Sequence, residues 1–186
     1  MQTLASIDLA NANAKSQQLL ESFQQRRGRI PNMVRVMAHS PAILQAYLDF
    51  NHAFEQTRMT PKLRALIAVS LAQLMGCEYV LSIAAALGTR EGITVEEFEA
   101  ARKGESQDPK IAAALGFARH VIQQQGKASA EETNRLRKAG YDEEEIVEII
   151  GAIVLMVFRN YFNLIVQTEV DYPPVKLDKP LQKSAA

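Results

Sequence analysis

The chain has 186 residues, of which 47% are apolar and 23% charged, and its 21 basic side chains equal its 21 acidic ones. This length suits one domain with a sizeable core, and the balanced charge removes the long-range field that attracts nucleic acid or an anionic membrane. A single cysteine, Cys77, excludes an internal disulfide and a thiolate zinc cluster. Residues 1–15 mix Asp8 and three amides with apolar residues, unlike a signal peptide. We therefore expect a soluble cytoplasmic protein with no nucleic-acid or membrane partner.

Helical spacing of apolar residues runs through nearly the whole chain, and the alternation typical of strands is almost absent. Ser40, Thr60 and Asp108 each precede a proline, a pattern typical of a helix cap followed by proline in the first turn. We predict an all-α fold, with one helical-bundle domain over residues 1–174 and an extended tail over 175–186. The predicted helices cover residues 11–25, 33–38, 41–55, 61–75, 77–87, 95–101, 109–125, 130–139 and 143–168.

The last predicted helix is unusually apolar. Asp142 caps it, and glutamates fill its first turn, where negative charge suits the helix dipole. Between Glu148 and Arg159 the residues are apolar on nearly every side, but this run is shorter than the roughly 20 apolar residues that cross a bilayer. We therefore expect a helix that is buried on all sides, either in the centre of the molecule or at a subunit interface.

The histidines and arginines give little support for a metal or nucleic-acid site. His39, His52 and His120 are dispersed, and no pair of them has the spacing of metal ligands. Four arginines between positions 26 and 35 are typical of a solvated face or an anion contact in a chain without net charge. Nucleotide-binding and nucleophile-elbow motifs are absent from the sequence. We expect neither a metal nor a cofactor.

Cys77 has the most informative surroundings, and two interpretations of it remain open. A lone cysteine in an apolar helix is most often a small core residue. Alternatively it is a reactive thiol, because it follows Gly76 near the start of a helix, where exposed N–H groups and the dipole stabilise a thiolate. Its helical neighbours Val80 and Ala84 are apolar, however, and apolar surroundings raise the pKa of a thiol. These two influences oppose each other.

The segment 59–88, MTPKLRALIAVSLAQLMGCEYVLSIAAALG, resembles the signature of the carboxymuconolactone decarboxylase and alkylhydroperoxidase D-like (AhpD-like) family. Further agreement lies upstream and downstream, in residues 30–32, 40–41, 160–163 and 168–173. The resemblance thus covers most of the chain, residues 28–174. It implies an all-α bundle without a cofactor that assembles as a homotrimer or homohexamer around its long helices.

In the peroxidase-type members of this family the site consists of a glutamate, a C-x-x-C pair and a histidine. One thiolate attacks the peroxide, the second resolves the sulfenic acid as a disulfide, and the carboxylate and imidazole relay the proton. By position, the resemblance places the first cysteine at Cys77, the second at Val80, the histidine at Ala84 and the glutamate at Ala65. Only the first is retained, so we expect the two-thiol cycle to be absent. Either a stripped, engineered variant or a paralogue outside the redox role explains these losses, and replacement by alanine and valine favours engineering.

The retained thiol predicts an enzyme in which Cys77 faces an apolar pocket for a small hydrophobic or aromatic substrate. Its role is that of nucleophile or acid–base group, in addition to an activated alkene or in one-thiol peroxide chemistry. Asn160 and Asn163 either donate hydrogen bonds to a carbonyl or peroxide oxygen or cap helix contacts at a subunit interface. The alternative is a catalytically silent oligomer that binds a small apolar ligand. The predicted pocket residues are Ala65, Met75, Val80, Ile83, Ala84, Met156, Asn160, Asn163 and Leu164.

Overall fold

Helices account for the regular structure in the computed structural model, which describes residues 2–178. Over these residues a short 3-10 turn at Leu9–Asn11 precedes nine α-helices. The predicted all-α fold is confirmed. The helices are α1 (Ala14–Arg27), α2 (Asn32–Met37), α3 (Pro41–Ala53), α4 (Pro61–Met75), α5 (Glu78–Arg90), α6 (Val95–Lys103), α7 (Pro109–Gln123), α8 (Ala130–Lys138) and α9 (Glu143–Val166).

The helix starts agree with the caps predicted from sequence. The hydroxyls of Ser40 and Thr60 accept hydrogen bonds from backbone N–H groups three residues later, at 3.4 and 3.2 Å. Asp142 accepts from the Glu145 N–H at 2.9 Å, and the Glu145 carboxylate accepts from the Asp142 N–H at 3.0 Å, which is a capping box. These side chains satisfy N–H groups that have no partner within their helices.

Two predicted helix boundaries are wrong. Gly88 does not end α5, which continues past it. A Cβ on Gly88 would lie 2.9 Å from Cδ1 of Ile93, so this glycine serves close packing inside the helix and not a turn. The first helix begins at Ala14 and not at Asn11, because the cap is Asn13, whose side chain accepts a backbone N–H at 3.0 Å.

Helix α4 is the centre of the molecule. It packs against α5, α6, α7 and α9. Its middle residues, including Ile67, Val69 and Leu71, are fully enclosed. Because other helices surround α4 on several sides, the chain enters the core immediately after α4, at the start of α5.

Helix α9 is apolar all round but is buried within the chain on one side only, so the alternative of a helix in the centre of one chain is wrong, whereas burial at a subunit interface stays a prediction. Ile149, Ile153 and Met156 hold its core side and are 1–2% exposed. The opposite side exposes a row of large apolar residues spaced three and four apart. These seven residues, here called the α9 face, are Val147, Ile150, Val154, Phe158, Tyr161, Leu164 and Ile165.

The apolar run within α9 is also longer than the sequence analysis took it to be. Apolar residues continue beyond Arg159, and an 18-residue window of the 24-residue helix has a mean hydropathy of 1.9. By length and composition alone α9 is able to cross a membrane, so the argument that its apolar run is too short is wrong. Within that window 44% of the residues are buried inside the chain. A core helix of a soluble protein meets the same criterion, and one such helix is weak evidence for a span.

The C-terminal segment lies on the helices as far as it is described. The Val175 N–H donates to Ser82 Oγ at 3.0 Å, and Arg102 Nη2 donates to the Lys176 carbonyl at 2.9 Å. Arg102 also pairs with Asp178 at 2.7 Å. The first four residues of the predicted tail therefore pack on α5 and α6, and its remainder, residues 179–186, lies outside the described residues.

Candidate active site

A tight turn between α4 and α5 positions Cys77. Gly76 ends α4 in the left-handed conformation, with φ 76° and ψ 31°, which a residue with a Cβ adopts only with strain. Cys77 then has an extended backbone, with φ −105° and ψ 94°, and is the N-cap of α5. The thiol therefore lies at the N-terminal end of a helix.

Burial of Cys77 decides its protonation state. The residue is 2% exposed and belongs to the main apolar core. Burial raises the pKa of the thiol, the nearby backbone N–H groups of Val80 and Tyr79 lower it, and the Glu78 carboxylate raises it. The net result is a pKa above the ordinary value, so the thiol is protonated at neutral pH. Of the two influences that the sequence left in balance, burial is the larger.

Small apolar side chains occupy the three positions at which peroxidase-type members carry reactive groups. Val80 and Ala84 are 3% and 4% exposed and belong to the same core cluster as Cys77. Ala65 is partly buried on α4. None of these side chains ionises or forms a hydrogen bond, so they provide Cys77 with neither a base nor a second thiol.

The remaining apolar residues of the predicted pocket lie at different depths. Met156 is 1% exposed in the core cluster that contains Cys77, and Ile83 packs against that cluster. Met75 is partly buried at the end of α4. Leu164 is 40% exposed, because the turn of α9 brings it to the edge of the α9 face.

Asn160 and Asn163 are buried on the core side of α9, and three of their four side-chain N–H groups have acceptors. Asn160 Nδ2 donates to the Met156 carbonyl at 2.7 Å. Asn163 Nδ2 donates to the Arg159 carbonyl and to Met33 Sδ, both at 2.8 Å. Both N–H groups of Asn163 are thus engaged, whereas one N–H of Asn160 has an acceptor, so donation from Asn160 to a substrate oxygen stays a prediction. The Oδ1 atoms of both amides accept no hydrogen bond from residues 2–178.

Tyr79 is a structural part of the site that the sequence did not predict. It is 3% exposed, and its hydroxyl accepts from the Met33 N–H at 3.0 Å and donates to Asp171 Oδ1 at 2.9 Å. The other oxygen of Asp171 accepts from Arg29 at 2.6 Å and from the Asn32 N–H at 3.1 Å. This network ties the first turn of α5 to α2 and to the C-terminal segment. The two ends of the Tyr79–Asp171 bond are 92 residues apart, so no local pattern signals it.

Two cavities on the described chain lie away from this thiol. One of about 720 Å³ is lined by Asp8, Arg29, Arg35 and Asp171, among others, and one of about 210 Å³ lies beside Tyr141. Neither is lined by Cys77 or by any other residue of the predicted pocket. The arginines of the larger cavity pair with its aspartates, at 2.6 Å for Arg29–Asp171 and 2.5 Å for Arg35–Asp8.

Residues 41–124, from the start of α3 to just after α7, match the model of the carboxymuconolactone decarboxylase family. No curated protein sequence matches the chain. Among solved structures, the debrominase Bmp8, as a cysteine-to-alanine variant in complex with 2,3,4-tribromopyrrole, is 20% identical over 92% of both chains with a TM-score of 0.76.

Two peroxidase-related proteins of solved structure share the fold. An uncharacterized one from Silicibacter sp. TM1040 is 18% identical over 94% of this chain and 95% of its own, with a TM-score of 0.78. An alkylhydroperoxidase AhpD core protein from Ralstonia eutropha JMP134 is 18% identical over 91% of this chain and 92% of its own, with a TM-score of 0.79.

The fold and the site together define an AhpD-like helical protein with one thiol at the start of an inner helix. Residues 41–124 match the carboxymuconolactone decarboxylase family, and the solved structures share the AhpD-like helical fold, so the resemblance inferred from sequence is confirmed.

Proposed function

We propose that this protein is a thiol-dependent enzyme that uses Cys77, without a cofactor, to transform a small hydrophobic substrate. The observation that carries the proposal is the setting of the chain's sole thiol, at the N-terminus of α5 in an apolar core, where the nearby backbone N–H groups of Val80 and Tyr79 act against the effect of burial on its pKa. Those N–H groups are preorganised to stabilise the thiolate that forms during reaction. A reducing compartment such as the cytoplasm would keep Cys77 in the thiol form.

A single thiol supports addition chemistry without a co-reactant. When it adds to an activated alkene, Sγ bonds to the β-carbon and the thiol proton goes to the α-carbon, so atoms and electrons balance between the two molecules. With a peroxide ROOH, Cys77 becomes a sulfenic acid and ROH is released. A disulfide within the chain is impossible with one cysteine, so an external thiol must then restore Cys77.

The debrominase Bmp8 supports the substrate class, because 2,3,4-tribromopyrrole is a small, flat and largely apolar ring. Reductive loss of bromine from such a ring consumes two thiols: the C–Br bond becomes C–H, the thiols form a disulfide, and HBr is released. In this protein Cys77 would be one of the two thiols, and an external thiol the other.

The second candidate is a catalytically silent oligomer that binds a small apolar ligand. The 2% exposure of Cys77 and the raised pKa of its thiol favour this alternative, because both lower the reactivity of the sulfur. Residues such as Val80 and Ala84 would then line a dry ligand site, and Cys77 would be one more small core residue.

We also propose that the partner of the chain is a second copy of itself, and that the α9 face makes the contact. The seven side chains of this face expose roughly 700 Å² in one uncharged row, close to the ~800 Å² that each partner contributes to a stable interface. Soluble monomers rarely leave so large an apolar patch in water. A membrane surface fits less well, because the helix begins with glutamates and the face has no lysine or arginine.

Turnover of wild-type protein and of Cys77→Ser tests the proposed reaction. The probes are tert-butyl hydroperoxide and 2,3,4-tribromopyrrole, each with dithiothreitol as the second thiol. A matched control, Val95→Cys in the Cys77→Ser background, keeps one thiol per chain but moves it to a 74% exposed position. We expect wild-type turnover of at least one probe to exceed that of both variants by at least 10-fold. Equal turnover in the wild type and Cys77→Ser would refute the role of the thiol.

A further inference from the structure

Two partly buried arginines contact the same side of α3 through neutral groups only. Arg64 of α4 and Arg159 of α9 form no ion pair with a carboxylate in the described part of the chain. Arg64 Nη1 donates to the Phe54 carbonyl at 3.1 Å. Arg159 Nε donates to the Tyr47 hydroxyl at 3.1 Å, and its Nη2 donates to Asn51 Oδ1. Uncharged acceptors therefore hold both guanidinium groups in place without neutralising them.

The contacts on α3 also bring the two guanidinium groups close to each other. Tyr47 and Asn51 lie in α3 and Phe54 is its C-cap, at spacings of four and three residues that place all three on one side of the helix. The acceptors of Arg159 and Arg64 thus lie within about one turn of each other. Burial lowers the pKa of Arg64 most, and the charge of Arg159 is the next influence that lowers it. The two cations are therefore close enough to repel each other.

The described part of the chain holds too little negative charge beside this pair to balance it. Glu91 and Glu55 act on Arg64 less strongly than Arg159 does. Glu55 is also already paired with Arg27, at 2.7 Å. The C-terminal end of α3 supplies the equivalent of only about half a negative charge, against two positive ones. Charges that are withdrawn from water are usually paired, so this arrangement predicts a counter-ion.

We propose that Arg64 and Arg159 together bind a small oxyanion, either a carboxylate or a phosphate group. Arginine matches the oxygens of both groups with a planar fork of N–H donors. Arg64 uses one N–H and Arg159 two within the described chain, so most donors of the pair are left for a ligand. The neutral anchors on α3 hold the donors in position before the anion arrives, which lowers the entropy cost of binding. This site goes beyond the proposed thiol chemistry and does not depend on it.

Calorimetry on the full chain at low ionic strength tests the site with two probes, benzoate for the carboxylate and inorganic phosphate for the phosphate group. Benzamide has nearly the shape of benzoate without its charge and is the neutral control. We expect at least one anion to bind at millimolar concentration or below, and benzoate, if it binds, to do so at least 10-fold more tightly than benzamide. Binding of benzoate alone assigns a carboxylate ligand, and binding of phosphate alone assigns a phosphorylated one.

Glutamine variants test the two arginines separately. Arg64→Gln and Arg159→Gln are each expected to weaken anion binding at least 10-fold, because each removes one of the two cations. The matched control is Arg119→Gln, on α7. Arg119 is also partly buried without a carboxylate partner in the described structure, but it donates to the carbonyls of Ser70 and Arg102, and burial alone lowers its pKa. This control is expected to keep the wild-type affinity.

Two results would overturn the inference. In the first, phosphate does not bind to the wild type at millimolar concentration and benzoate binds no more tightly than benzamide. In the second, Arg64→Gln or Arg159→Gln folds, as circular dichroism shows, and keeps the wild-type affinity for the anion. The first comparison needs no variant, so it decides the question even if a glutamine variant fails to fold.

Discussion

Replacing Tyr79 by phenylalanine tests the network that fixes the first turn of α5. The hydroxyl accepts from the buried Met33 N–H at 3.0 Å and donates to Asp171 at 2.9 Å. Without it the Met33 N–H is left unpaired in the core, which costs about 1–3 kcal/mol. The Asp171 carboxylate loses one donor but keeps Arg29 and the Asn32 N–H, so its contribution is smaller. We expect Tyr79→Phe to lower the free energy of unfolding by about 2–3 kcal/mol.

Urea unfolding followed by circular dichroism, at one fixed protein concentration, measures this loss. Tyr141→Phe is the matched control, because its hydroxyl only donates, to the Lys110 carbonyl at 3.0 Å, and accepts nothing in the described structure. Its expected loss is about 1 kcal/mol. Equal losses for the two variants, or a loss below about 1 kcal/mol for Tyr79→Phe, would show that the Met33 N–H finds another acceptor and that the network does not hold α5.

Three further predictions concern the turn, the assembly and the thiol. Gly76→Ala should destabilise the fold by about 1–2 kcal/mol because of the positive φ alone, since a Cβ at this position meets no atom within 4 Å. The control Gly116→Ala lies inside α7, where a Cβ also meets no atom within 4 Å, and it should stabilise the fold by about 0.5–1 kcal/mol. Urea unfolding measures both changes. Val154→Asp should reduce the particle mass measured by light scattering to that of one 20.6 kDa chain, whereas Val95→Asp, at a more exposed valine, should not. Burial raises the pKa of the Cys77 thiol in the folded protein above its pKa in the unfolded chain. The buried neutral thiol therefore contributes its full stabilisation below the pKa of the unfolded chain, and this contribution is lost as the pH rises through the pKa of the folded protein. Wild-type stability should therefore fall more steeply than that of Cys77→Ala above about pH 9.

Each of these predictions has a contradicting result. A stabilising Gly76→Ala would mean that the turn before the thiol does not need the left-handed conformation. A wild type that already has the mass of one chain would remove the case for self-association through the α9 face. Parallel alkaline stability curves for the wild type and Cys77→Ala would mean that burial does not favour the neutral thiol.

Local signals predicted most of the helical architecture. Caps such as Ser40, Thr60 and Asp142 act within three residues of themselves, so they are visible in the sequence and recur in the structure. Gly88 misled the prediction because a glycine that ends a helix and one that admits a close neighbour look alike in sequence. The side of α9 left bare was not predictable either, since a helix that is apolar all round carries no pattern that distinguishes its faces.

The candidate site was predictable only in part, for a different reason. The position of Cys77 at a helix start follows from the glycine before it, whereas its protonation depends on burial by distant segments. The amides of Asn160 and Asn163 were expected to act as donors. Their own helix takes up one N–H group of each amide through the carbonyl four residues back, which only the three-dimensional structure shows.

Alkylation of the native protein by iodoacetamide, followed by intact mass, examines the thiol most directly, since every chain carries a single sulfur nucleophile of this kind. If Cys77 is an enzymatic group, the folded protein gains one adduct at a rate that does not depend on low urea concentrations, and a bound aromatic ligand slows it. If instead the rate of modification rises with urea in proportion to the unfolded fraction, modification requires global unfolding. Cys77 is then an inert core residue and the enzyme proposal fails.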